Sequence, residues 1–158
     1  MKTSSSAHWA ERALSLIEII IVIAIILIIF GGFFFILSPA ERFAKARNQE
    51  REVHVNLLLN SLNQRLNDTK GGFTCDAGFP PTSTPSRVSA GPGGYDLIPC
   101  LYPKFITKVP IDPKDPDAYF FNPSDYDTGY YIIMNATTSR VTVSAPSAEL
   151  GEMISVTR

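Results

Sequence analysis

Residues 19–37 read IIIVIAIILIIFGGFFFIL, without one charged or polar side chain. At about 1.5 Å of rise per residue, a helix of that run just spans a hydrocarbon core of roughly 30 Å. An ordinary secretory signal has a shorter apolar core, about 7 to 15 residues, followed by a small-x-small cleavage site. Here the run is longer and continues into Ser38, Pro39 and a helical pattern. The expectation is one membrane-spanning helix that stays with the protein. The rest reads as a small polar domain: hydrophobic residues make up 45% of the chain and charged residues 18%, and most of the apolar excess sits in this one block.

Glu18 stands at the mouth of that run, with Leu14, Leu16 and Ile17 on its other side. An ionised carboxylate beside hydrocarbon costs several kcal/mol unless it is paired, which makes it a functional candidate. The plain alternative is a glutamate reaching back to the headgroups. Its surroundings decide between the two: Arg12-Ala13-Leu14-Ser15-Leu16-Ile17-Glu18, then the Ile/Val/Ala run.

This segment resembles the prepilin-type signal of type IV pilins and type II secretion pseudopilins. In that family a short polar leader ends in a basic and a small residue, a hydrophobic residue follows the cut, and a glutamate stands fifth after it. The resemblance implies cleavage between Ala13 and Leu14 by a prepilin peptidase, N-methylation of Leu14, and an assembly role for Leu14 and Glu18. Ala13 stands where the family mostly has glycine, and Leu14 where phenylalanine is commonest. The Glu18 carboxylate would meet the Leu14 ammonium of a neighbouring subunit, relieving two charges that are costly alone in hydrocarbon. It also implies a pilin-like α+β fold, one long N-terminal helix with a membrane-spanning first half packed on a small antiparallel sheet. The partners it implies are further copies of the chain, the peptidase and methyltransferase, an inner-membrane platform, an assembly ATPase, and the bilayer before assembly. The location implied is the inner membrane, N-terminus cytoplasmic, and then an extracellular pilus or an envelope pseudopilus.

The organisation that follows is a leader over 1–13, a transmembrane and assembly helix over 14–38, an amphipathic continuation over 39–72, and a globular head over 73–158. Gly31, Gly32 and Pro39 mark a candidate hinge, since glycine costs about 1 and proline about 3 kcal/mol inside a helix. Within 40–70, Val55, Leu58, Leu59, Leu62 and Leu66 follow i, i+3, i+4, i+7 spacing and make one apolar stripe. Gly71-Gly72 supplies a left-handed stop. Arg42, Lys45, Arg47 and Arg51 read as a solvated helix face, or as contacts to lipid phosphates or acidic neighbours.

Residues 73–96 are rich in Pro, Gly, Ser and Thr and are expected to be an irregular loop. Cys75 and Cys100 flank it; in an exported region they would pair and close it, stabilising by roughly 3 to 4 kcal/mol in the chain-entropy model, whereas in a cytosolic domain they would be two free thiols. A short helical turn is expected over 97–106, ending in Pro110-Ile111-Asp112-Pro113, an element similar to one in pseudopilin heads. Strands are expected at 118–122, 130–134, 140–144 and 153–157, the middle two joined as a hairpin through 135–139.

No catalytic triad, zinc spacing or phosphate-cradling glycine loop is present in the sequence, so an enzyme is not the expectation. His8 and His54 are the only histidines, too few for a histidine metal cluster, and His54 reads as a structural residue. Asp112, Asp115, Asp117, Asp125 and Asp127 are the one candidate metal group: calcium is a possible ligand, turn-forming aspartates the plainer reading, and no cofactor is expected. With a formal net charge of −1 there is no footprint for specific nucleic acid. The competing reading is a single-pass anchored adhesin or binding module that never polymerises, with Tyr130, Tyr131 and the cysteine-flanked loop as its contact surface.

Overall fold

The computed structural model describes residues 15–36, 39–73 and 75–158, with the side chains of 33–36 left out. The expected leader and the cut between Ala13 and Leu14 lie outside the described residues. The chain divides into two compact units, Met1–Pro39 and Ala40–Arg158, and the class is α+β: helices and one five-stranded antiparallel sheet.

The first unit contributes α1 (Leu16–Ile36), a helix of 21 residues that includes Gly31 and Gly32. No described atom lies within 4 Å of where a Cβ would sit on either glycine, so neither is there to admit a close neighbour. Among the described residues no helix is long and apolar enough to cross a membrane; the side chains of α1 are described only as far as Gly32. The join expected between the two halves of one long helix falls on residues 37 and 38, outside the described residues.

The second unit opens with α2 (Pro39–Asp68). Pro39 occupies the first helical position, where its missing N–H removes no intrahelical bond and its fixed φ suits a helix start. The inward face of α2 recurs at Ala44, Asn48, Arg51, Val55, Leu58 and Leu62, all buried, the spacing of a single helical stripe. The helix ends through two left-handed residues, Lys70 (φ 52°) and Gly71 (φ 85°), with the Gly71 N–H donating to the Leu66 carbonyl at 2.8 Å.

The sheet is built on β3 (Asp125–Met134), which pairs on one edge with β1 (Ser86–Ser89) and on the other with β2 (Tyr119–Asn122) and β4 (Val141–Ala145); β5 (Ile154–Thr157) closes the far side of β4. Asp127 faces Ser89 on one side and Tyr119 on the other, whereas Ile132 faces Val143. In β4, Val141, Val143 and Ala145 point inward and alternate with half-exposed Thr142 and Ser144, the period of a strand with one wet face. These residues share a core with Leu58, Leu59 and Leu62 of α2 and with Leu97 and Leu101.

Three expectations need correcting. The 73–96 segment is not wholly irregular: β1 lies within it and buries Val88, because a four-residue strand needs one apolar anchor and a neighbour to pair with. The helical turn expected over 97–106 shrinks to α3 (Ile98–Leu101), since Pro103 cannot donate a helical N–H and biases Tyr102 away from the helical region. The strand expected at 130–134 starts five residues earlier, at Asp125. Gly129, which reads as a breaker, sits inside β3 at φ +79°, where the register to β1 shifts between Arg87 and Ser89. A Cβ there would stand 2.9 Å from the Cβ of Asp112, so the bulge brings the 112–115 turn against the sheet.

Cys75 and Cys100 form a disulfide, their Cα atoms 5.8 Å apart. It ties the chain leaving α2 to α3, closing the segment that contains β1.

Candidate functional site

In α1, side chains from Leu16 to Phe30 are exposed on every side of the helix. Glu18 is the only charged residue in it and sits in the first turn, where free N–H groups favour a negative charge. Ser15 precedes the helix and its carbonyl accepts from the N–H of Glu18 and Ile19 at 2.9 and 3.2 Å. Leu14, the expected assembly partner of Glu18, is outside the described residues.

The head has a polar centre that the sequence reading placed in solvent. Arg51 is fully buried: its Nε donates to Asp112 Oδ2 at 2.7 Å and its Nη2 to Asp112 Oδ1 at 3.0 Å. Such a two-pronged guanidinium–carboxylate pair is among the strong hydrogen-bonded contacts in proteins. Arg51 Nη1 donates to Asn48 Oδ1 at 2.8 Å, and Asn48 Nδ2 to the Glu149 carbonyl at 2.8 Å. Arg47 grips the Glu149 carboxylate from Nε at 2.6 Å and from Nη2 at 2.8 Å, and Lys114 Nζ donates to it at 2.6 Å. The expectation of a solvated or lipid-facing basic face therefore fails for Arg47 and Arg51, which turn inward to clamp the 112–115 turn and the 147–152 segment. The signal was there: continued upstream from Val55, the apolar stripe lands on Arg51, Asn48 and Ala44.

Burial alone would raise the Asp112 carboxyl, but hydrogen bonds from Arg51 and from the N–H groups of Lys114 and Asp115 hold it below its ordinary value. The hydrogen bond from Arg47, with another from Lys114, holds Glu149 well below the usual carboxylate range. The remaining aspartates are dispersed. Arg87 binds Asp127 at 2.6 Å and Asp115 at 3.1 Å, and Asp125 accepts from the Tyr119 hydroxyl at 2.8 Å. Among the described residues no three His, Cys, Asp or Glu side chains are grouped to hold a metal ion.

A groove of about 650 Å³ runs along the outer flank of α2, between Val53, His54 and Leu57 on the helix and Val109, Ile111 and Phe120 opposite. His54 Nδ1 lies 2.8 Å from the Tyr130 hydroxyl, and burial lowers the His54 pKa despite the opposing pull of Glu50. Tyr130 itself is fully buried and does not belong to a contact surface, contrary to the binding-module expectation; Tyr131 is half-buried. The sequence reading missed the groove because Val53 and Leu57 lie off the main stripe and Phe120 comes from β2.

No family model, curated protein or solved structure matches the chain.

Proposed function

We propose that this chain is a structural subunit of a type IV pilus or related pseudopilus, processed between Ala13 and Leu14 and polymerised through its N-terminal helix. The observation that carries the reading is α1: apolar side chains exposed around its whole circumference, with Glu18 as its one charge. A helix apolar on all sides must be covered, by lipid or by other helices. In hydrocarbon it also satisfies each backbone group within its own segment. A filament supplies both environments in turn. The subunit waits in the inner membrane as a single-pass protein of pilin-like architecture, then transfers α1 into a core made of neighbouring copies. Glu18 pairs with the Leu14 ammonium of an adjacent copy and sets the axial register. The machinery this requires is a prepilin peptidase with methyltransferase activity, a membrane platform and an assembly ATPase.

The test is the N-terminal sequence and mass of protein recovered from sheared surface filaments. A chain starting at methylated Leu14 is the expected result for a pilus subunit, and processed protein confined to the envelope is that for a pseudopilus. Unprocessed chains found only in membranes would sink the proposal and favour an anchored module that does not polymerise. Glu18→Leu should leave insertion intact and lower filament yield at least tenfold.

A further inference from the structure

We propose that the head carries its own head-to-tail contact, in which the 150–153 turn of one copy seats in the α2 groove of the next. This rests on the polymer reading and adds to it a second interface, away from α1.

The turn is an apolar projection. Met153 is 96% and Leu150 50% exposed, and Leu150 and Gly151 both hold left-handed backbone, at φ 60° and 72°. A bulky residue seldom adopts that conformation. It persists here because Glu149, just before it, is fixed by Arg47 and Lys114, and Glu152, just after Gly151, accepts from Asn48 Nδ2 at 2.8 Å. The clamp thus holds two apolar side chains out in water on a rigid mount. The groove is the complementary concavity: Val53 is 65% exposed, and Leu57 and Phe120 are open beside it.

Both surfaces lie on α2, on different flanks. The turn and the start of β5 border Lys45, Asn48, Gln49 and Glu52, whereas the groove borders Glu50, Val53, His54 and Leu57. At about 100° per residue these sets are centred about 140° apart around the helix. Two different patches facing away from each other make a heterologous contact, which extends into an open chain of copies rather than closing as a pair. Their charges match: Lys108 and Glu50 edge the groove, and Glu152 and Lys45 flank the turn. These features commit the groove to a second copy of this chain rather than to a lipid or an unrelated protein.

The experiment uses the full-length chain in its own membrane, with Val53→Cys and Met153→Cys made singly and together, and a short bifunctional maleimide. Labelling with a monofunctional maleimide first establishes that both added thiols react. The double variant should give a ladder of dimers, trimers and higher multiples. Each single variant alone should stay monomeric, and the two singles expressed together should give dimers and stop there. Dimers as abundant in either single variant as in the double would mean two-fold association and overturn the proposal. A cross-linked species whose mass is not a multiple of the chain would assign the groove to another protein, with the same consequence. Monomer alone from the double variant, in a preparation that sediments as filaments and starts at Leu14, would overturn this contact and leave the filament reading standing. Monomer alone with no processing and no sedimenting polymer would remove both.

Discussion

Between Ala44 and Arg51 the inward face of α2 is built from a small residue, an amide and a guanidinium; from Val55 to Leu62 the same stripe is aliphatic. Both stretches are shut off from water, yet they do different work. Each buried leucine or valine contributes about 1.5 to 3 kcal/mol by leaving water, with little regard to direction. The Arg51–Asp112 pair gains little net stability over apolar residues of the same shape, because two charges must first be desolvated. What it supplies is geometry: only one placement of the 112–115 turn satisfies both prongs of the guanidinium. The apolar half holds the head together, and the polar half fixes where its outer segments stand.

That contrast can be broken by substitution. Arg51→Ala should have the largest effect, about 3 to 5 kcal/mol in denaturant unfolding, because Asp112 is left buried without its partner. Leu58→Ala should cost about 2 to 4 kcal/mol, a cavity effect that leaves the 147–152 segment as protected from hydrogen exchange as before. If Leu58→Ala loosened that segment and Arg51→Ala did not, the division of labour would be wrong. Gly129→Ala should cost about 1 to 3 kcal/mol through left-handed strain, and its added Cβ should disturb the Asp112 turn before the leucine core.

Acidity separates the halves further. Asp112 and Glu149 have folded pKa values below their ordinary 3.8 and 4.5. Their contribution is therefore present above those values and lost as pH falls through the folded ones. Thermal unfolding followed from pH 5 down to pH 2 should show this loss, and Arg51→Met with Asp112→Leu should flatten the Asp112 part of it. The smallest effect belongs to His54, whose folded pKa lies below 6.5. The unfolded chain takes up that proton first, so stability should decline as pH drops below about 6.5, and His54→Gln should remove the decline.

Much of the scaffold was legible because its signals are local. The stripe at Val55, Leu58, Leu59 and Leu62, the left-handed stop at Gly71, and the strands near 118–122, 140–144 and 153–157 each follow from spacing within a few residues. The clamp was not, because Arg51 and Asp112 are 61 residues apart and Arg47 and Glu149 are 102 apart. No periodicity reports a partner at that distance, and a lone arginine on a helix reads as solvated. β1 was hidden by its Pro- and Ser-rich surroundings, and the early start of β3 by Gly129. Of the candidate residues, Cys75 and Cys100 needed only their count and position to be paired, and Glu18 stood out by its contrast with the apolar run.

The clamp also has a bearing on the order of folding. Its contacts from Asn48 to Glu149 and Glu152 close loops of 101 and 104 residues, and loop closure over such separations is slow to be rewarded. The hairpin of β3 and β4, whose partners Met134 and Val141 are neighbours in the chain, can form while Arg47, Asn48 and Arg51 still face water. Pulse-labelled hydrogen exchange during refolding should therefore protect β3 and β4 first and the 147–152 segment last. The 150–153 turn would then take shape only when the rest of the head is finished.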